Sequence, residues 1–139
     1  MPPEHEDVRT ILESFRTWAV VGCSPSPGRP SHGVGRFLKS RGYRVIPVHP
    51  RATEVLGERC YPSLLDIPEE EGVEVVDIFR RSDHAGAHAD EAVQIGASAV
   101  WMQLGVRDDA ASERARSAGL LVVSNRCPAI ELPRLARSA

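Results

Sequence analysis

Cysteine is scarce in this chain, charge of either sign is not in excess, and no long apolar run occurs. Each shortage removes a class of protein. Cys23, Cys60 and Cys127 are odd in number and scattered. They give neither a metal-ligand spacing nor a disulfide framework, which points to a reduced, cytoplasmic protein. The formal net charge of -2 leaves no bulk attraction for nucleic acid or for a membrane surface. No apolar stretch reaches the ~20 residues that a membrane helix needs. The opening Met-Pro-Pro-Glu-His-Glu-Asp is acidic and polar, unlike a secretory signal. A G-x-G-x-x-G, a P-loop, a paired-carboxylate pattern and a nucleophile–base–orienter set are also missing, so nothing commits the chain to a reaction.

What is present is an alternation of strands and helices. Hydrophobic residues make up 42% of the 139, enough for a core, and the length suits one domain over 1–139. An N-terminal helix falls within 1–16, with Val8, Ile11, Leu12 and Phe15 at helical spacing; the core then runs over 17–137. Apolar runs predict strands at Trp18 to Gly22, Arg44 to Val48, Val73 to Phe79, Ser98 to Met102 and Leu120 to Val123. Between them the pattern predicts helices from His32 to about Arg41 (capped by Ser31), from an Asp83 cap to about Ile95, and from Asp108 or Asp109 to Gly119. A last helical segment, interrupted by Pro133, follows Pro128. Ala52 to Pro68 shows no clear period beyond one turn at Ser63 to Asp66. Nearly continuous apolar strands alternating with helices predict an α/β fold: a Rossmann-like, doubly wound parallel sheet of about five strands, covered on both faces.

In such sheets ligands bind beyond the C-terminal ends of the strands. The residues there are polar and basic: Cys23, Ser24 and Pro25, then His49, Pro50 and Arg51, then Arg80, Arg81 and Ser82, then Gln103, Leu104 and Gly105, then Ser124, Asn125, Arg126 and Cys127. The opposite edge holds ordinary turns. The second strand does not end in the acid that grips the ribose of NAD. It ends in His49-Pro50-Arg51, which suits a ligand with a phosphate on its ribose, coenzyme A or NADP. Gly22, Gly33 and Gly35 do not complete a dinucleotide fingerprint, but the loop amides and the Ser31–Gly33 helix start offer a phosphate cradle. For Arg80 and Arg81 an ion pair with Glu74, Asp77 or Asp83 is the plain alternative. Cys127 lies at a helix start before Pro128, where a thiolate is stabilised, but a merely structural thiol is the favoured reading. His84, His88 and Glu91 share a helix face and read as an exposed polar surface rather than a metal site. Trp101 and Phe79 read as core.

Five ordered segments then carry a resemblance. Ala19-Val20-Val21-Gly22-Cys23-Ser24-Pro25, Arg44-Val45-Ile46-Pro47-Val48-His49-Pro50, Asp77-Ile78-Phe79-Arg80-Arg81-Ser82, Val100-Trp101-Met102-Gln103-Leu104-Gly105 and Arg126-Cys127-Pro128-Ala129-Ile130-Glu131 resemble the CoA-binding domain family, its small stand-alone members above all. The family includes the N-terminal domain of the succinyl-CoA synthetase α subunit and the NDP-forming acyl-CoA synthetases. The resemblance implies coenzyme A, or an acyl-CoA, held along the strand ends. It implies contacts from Ser24 and Pro25, from Pro47, Val48, His49, Pro50 and Arg51, from Phe79, Arg80, Arg81 and Ser82, and from Gln103, Leu104 and Gly105. Gly22, Ser31, Gly33 and Cys127 complete the expected set. The family usually has Asn where His49 stands and Asp where Asn125 stands. The synthetases carry their phosphorylated histidine and ATP-grasp module on further domains, so the expectation is a small-molecule binding protein without catalysis of its own. A homodimer and a partner enzyme are both open to it, and no nucleic-acid or membrane partner is expected. An NADP-binding oxidoreductase fragment and an acyl-CoA-sensing regulatory subunit are the alternatives.

Overall fold

β-Branched residues on alternating sides of short strands need cover on both faces, and the chain supplies it with five helices. The computed structural model describes residues 3–138. α1 (Pro3–Ser14) leads into β1 (Thr17–Val21), α2 (Pro30–Ser40) and β2 (Arg44–Val48). A two-residue-strand hairpin, β3 (Glu54–Val55) and β4 (Glu58–Arg59), and two one-turn 3-10 helices follow. Then come β5 (Val75–Ile78), α3 (Ser82–Gln94), β6 (Ala99–Met102), α4 (Asp109–Ser117), β7 (Leu121–Val123) and α5 (Pro128–Ser138). The main sheet is parallel throughout, in the order β2-β1-β5-β6-β7. This is the expected doubly wound sheet of five strands. The strand order reverses direction between β1 and β5, which makes that junction the switch point where a crevice opens.

Sequence parity decides which side chain meets which helix. Trp18, Val20, Val45, Val75, Trp101 and Val123 face α1, α2 and α5, where Ile11, Leu12, Leu38 and Leu135 are buried. Ala19, Val21, Val48, Val76, Ile78, Val100, Met102 and Val122 face α3 and α4. The two faces differ in grain. The first is built on large side chains, with Trp18 5.6 Å from Trp101 and 5.7 Å from Tyr43 between ring centres. Burying each large side chain stabilises the fold by roughly 1.5–3 kcal/mol. The second is lined by alanines of α3 and α4, which lets those helices approach closely. A Cβ on Gly86 would stand 2.6 Å from Asp108 Oδ2.

Several local expectations are corrected. Ser31 does not cap α2: Pro30 takes the first helical position, Arg29 precedes it, and no side chain caps the end. Asp83 does not cap α3, which starts one residue earlier, after Arg81; Asp83 pairs with Arg81 instead. Asp108 does cap α4, its side chain accepting from the Ala111 N–H at 2.9 Å. Phe79 is only half-buried, because β5 ends one residue before it. Pro47 sits in edge strand β2, where a missing N–H costs least, and its carbonyl accepts from the Tyr61 N–H. Among the described residues no helix is long and apolar enough to cross a membrane.

Candidate functional site

Gly22 decides the geometry of the crevice. Its φ of +82° lies in the left-handed region, and a Cβ there would meet the Phe79 carbonyl oxygen at 2.6 Å. Only glycine lets the chain leaving β1 pass this close to the end of β5. The loop then folds back on α2: the Ser24 N–H donates to Ser31 Oγ, 2.9 Å away, and the Ser26 N–H donates to Ser24 Oγ at 3.0 Å. Ser31 is buried in this role. The N-terminus of α2, free of a side-chain cap, is thereby held at the mouth of the crevice with its positive dipole end towards it.

A cleft of about 870 Å³ runs along the ends of β2, β1, β5 and β6. Its electrostatics are one-sided. Arg29, Arg51, Arg80 and Arg81 line it, with His49, and no aspartate or glutamate does. Arg81 pairs with Asp83 at 2.7 Å, an exposed contact of small value. For Arg29, Arg51 and Arg80 no carboxylate lies within salt-bridge distance among the described residues. Three guanidiniums gathered without a counter-charge repel one another, and an anion relieves that.

His49 shapes the segment that carries Arg51. Its Nδ1 accepts from the backbone N–H groups of Arg51 and Ala52, both at 3.2 Å. The proton therefore sits on Nε2, and the ring nitrogen does what an asparagine side-chain oxygen does in an Asx turn.

The other end of the cleft is less polar. Leu104, Val106, Phe79 and Cys127 line it together with Gln103. Cys127 is buried just before α5, its carbonyl accepting from the N–H groups of Ile130 and Glu131 at 2.9 Å. Gln103 reaches down to Asp77, which is fully buried in β5. In the amide orientation that satisfies both groups, Gln103 Nε2 donates to Asp77 Oδ1 at 2.9 Å. Burial holds the Asp77 carboxyl well above the ordinary range. Burial also pushes the Cys23 thiol up to about 12, with Cys60 and Asp77 nearby adding to it, so Cys23 is an inert core thiol.

Twelve of the residues singled out in the sequence line this cleft: Gly22, Ser24, Ser31, His49, Pro50, Arg51, Phe79, Arg80, Arg81, Gln103, Leu104 and Cys127. Six do not. Pro47 and Val48 are buried in β2, where the Val48 carbonyl accepts from the N–H groups of Gly22 and Cys23. Pro25 is exposed on the outer loop, and Gly33 falls between Ser31 and Val34 of α2, which line the cleft, without lining it itself. Ser82 and Gly105 hold loops together: Ser82 Oγ accepts from the Arg107 N–H, and the Gly105 N–H donates to Asn125 Oδ1 at 2.8 Å. Arg29, Pro30, Val34 and Val106 were missed. A basic residue directly before a helix-starting proline was the available signal for Arg29. The His84, His88 and Glu91 face forms no metal centre among the described residues; His88 Nδ1 pairs with Glu91 at 2.8 Å.

A parallel sheet with an acid-free, arginine-lined crevice at its switch point defines a nucleotide- or cofactor-binding α/β protein. Residues 16–133 match the family described as CoA binding domain, and the chain belongs to that family. It is 32% identical over 125 residues to the uncharacterized protein YneT of Bacillus subtilis, covering 90% of this chain and 91% of that one. A solved structure of a hypothetical protein from Pyrococcus horikoshii has 41% identity and a TM-score of 0.89, covering 98% of this chain and 96% of that one. Acetate–CoA ligase (ADP-forming) II of Archaeoglobus fulgidus is 37% identical over 62 residues; the match covers 43% of this chain and 9% of the ligase.

Proposed function

We propose that the chain binds coenzyme A in this cleft. Its phosphates lie against Arg29, Arg51 and Arg80 and the start of α2, and its thiol end runs towards Leu104, Val106 and Cys127. One observation carries the reading: four arginines and no carboxylate line the cleft. A ligand with several phosphates at one end and a neutral, flexible arm at the other matches that gradient. Family membership and the partial likeness to a CoA ligase support the same ligand. Binding rather than catalysis is the role proposed.

Calorimetry with coenzyme A, dephospho-CoA and NADP tests this. Coenzyme A should bind best and stabilise the fold by mass action. Preference for NADP would move the chain to the oxidoreductase reading. Equal affinity for coenzyme A and dephospho-CoA would remove the ribose phosphate from the argument.

A further inference from the structure

Beyond the thiol end of the cleft lies a second pocket of about 330 Å³, and Leu104 lines both. The second pocket is walled by the segment 124–126 and by α5. Its lip is apolar: Leu104 is 56% exposed and Ile130 41%, two of the three large hydrophobic residues most open to solvent. Its polar lining is arginine-rich: Arg107, Arg126 and Arg134 stand with Glu4 and Glu131, and Arg107 is already paired with Asp109 at 2.8 Å. Arg126 and Arg134 share the one buried carboxylate of Glu131, each at 3.3 Å, while Arg126 also has Glu4 at 3.5 Å. Arg134 has only its share of Glu131 and is 59% exposed at the side chain. A second carboxylate entering the pocket therefore finds a guanidinium with donors to spare.

We propose that this pocket receives the acyl group of an acyl-CoA, a short aliphatic chain that ends in a carboxylate. The proposal rests on the cleft reading above, which puts the sulfur near Leu104 and Cys127. From there the chain crosses the Leu104–Ile130 lip and its carboxylate meets Arg134. At ~30 Å³ per water, the pocket's 330 Å³ has room for about eleven waters, ample for a short diacid chain. A long fatty acyl group finds neither the length nor an apolar floor.

The test is calorimetry at low salt with coenzyme A, pentanoyl-CoA and glutaryl-CoA, the last two matched in chain length and differing in the terminal carboxylate. The wild-type chain should bind glutaryl-CoA roughly twofold to fivefold more tightly than pentanoyl-CoA, the range for one partly exposed ion pair. Arg134→Ala and, as a milder change, Arg134→Gln should bring that ratio close to one. Affinity for coenzyme A itself should stay as it was, because Arg134 does not line the first cleft. A wild-type ratio near one with coenzyme A still bound overturns the acyl site alone. So does a preference that survives in both variants. Failure of coenzyme A to bind overturns the cleft reading, and the acyl site falls with it.

Discussion

Asp77 Oδ1 lies 2.9 Å from Gln103 Nε2, and the pair links the middle of the sheet to the surface of the cleft. Asp77 has no cation within salt-bridge distance among the described residues and no exposure to water. Burial disfavours its charged form, so its folded-state value stands above the ordinary 3.8. The sign follows from linkage: the folded chain binds this proton to higher pH than the unfolded chain does. The stability it contributes is complete below the unfolded value and is lost as pH rises towards the folded one. Asp77→Asn cannot titrate and keeps an oxygen for Gln103. Its melting temperature, relative to wild type, should therefore climb as pH rises above the ordinary carboxyl value of 3.8. A difference that stays flat or falls over that range would mean that Asp77 ionises freely in the fold.

Gly22→Ala should be costly in both fold and ligand affinity. The left-handed backbone alone costs about 1–3 kcal/mol for a non-glycine residue. The 2.6 Å approach to the Phe79 carbonyl adds a clash with backbone, which cannot swing away. Denaturant unfolding should show a loss of at least about 2 kcal/mol. Wild-type stability in the variant would show that the end of β1 can relax away from β5.

His49 yields a contrast between two substitutions. Asparagine offers an oxygen where the ring nitrogen accepts from the Arg51 and Ala52 N–H groups. His49→Asn should keep the turn and bind coenzyme A within about threefold of wild type. His49→Ala leaves two backbone donors without that acceptor and frees the segment carrying Arg51. Its affinity should fall by roughly tenfold, about 1.4 kcal/mol. Equal binding by both variants at neutral pH would separate the turn from the ligand.

The strands were legible because each is a run of β-branched or aromatic residues bounded by glycine, proline or a polar cluster. Their parallel order was legible because helical patterns alternate with them. The β3–β4 hairpin was not: its strands are two residues long and its turn is Leu56-Gly57, with Leu56 itself at a φ of +56°. That turn lacks the Asn-Gly or Asp-Gly signal. Ser31 and Asp83 misled for one reason. Each is a good capping type at the second residue of its helix, where a contact with the preceding loop, to Ser24 or to Arg81, claims the side chain. Arg29 was hidden because a loop arginine has no period. The cleft needed the fold to bring α2's start beside β2's end.

Arg51 provides the sharpest test of the cleft. It is exposed, lines the cleft beside His49 and has no carboxylate partner among the described residues. A charge-assisted hydrogen bond contributes on the order of 1.5–3 kcal/mol, and exposure to water favours the lower end. Arg51→Ala should therefore weaken coenzyme A roughly tenfold, while the ligand-free fold keeps its stability. The loss should shrink with dephospho-CoA, since the phosphate that Arg51 meets is already gone, and should shrink again at high salt. The measurement is a double cycle, wild type and Arg51→Ala against the two ligands. A coupling energy near zero would show that Arg51 does not read the ribose phosphate. The same cycle on Arg29→Ala and Arg80→Ala would then locate the guanidinium that does, because these two share the cleft and the absence of a counter-ion.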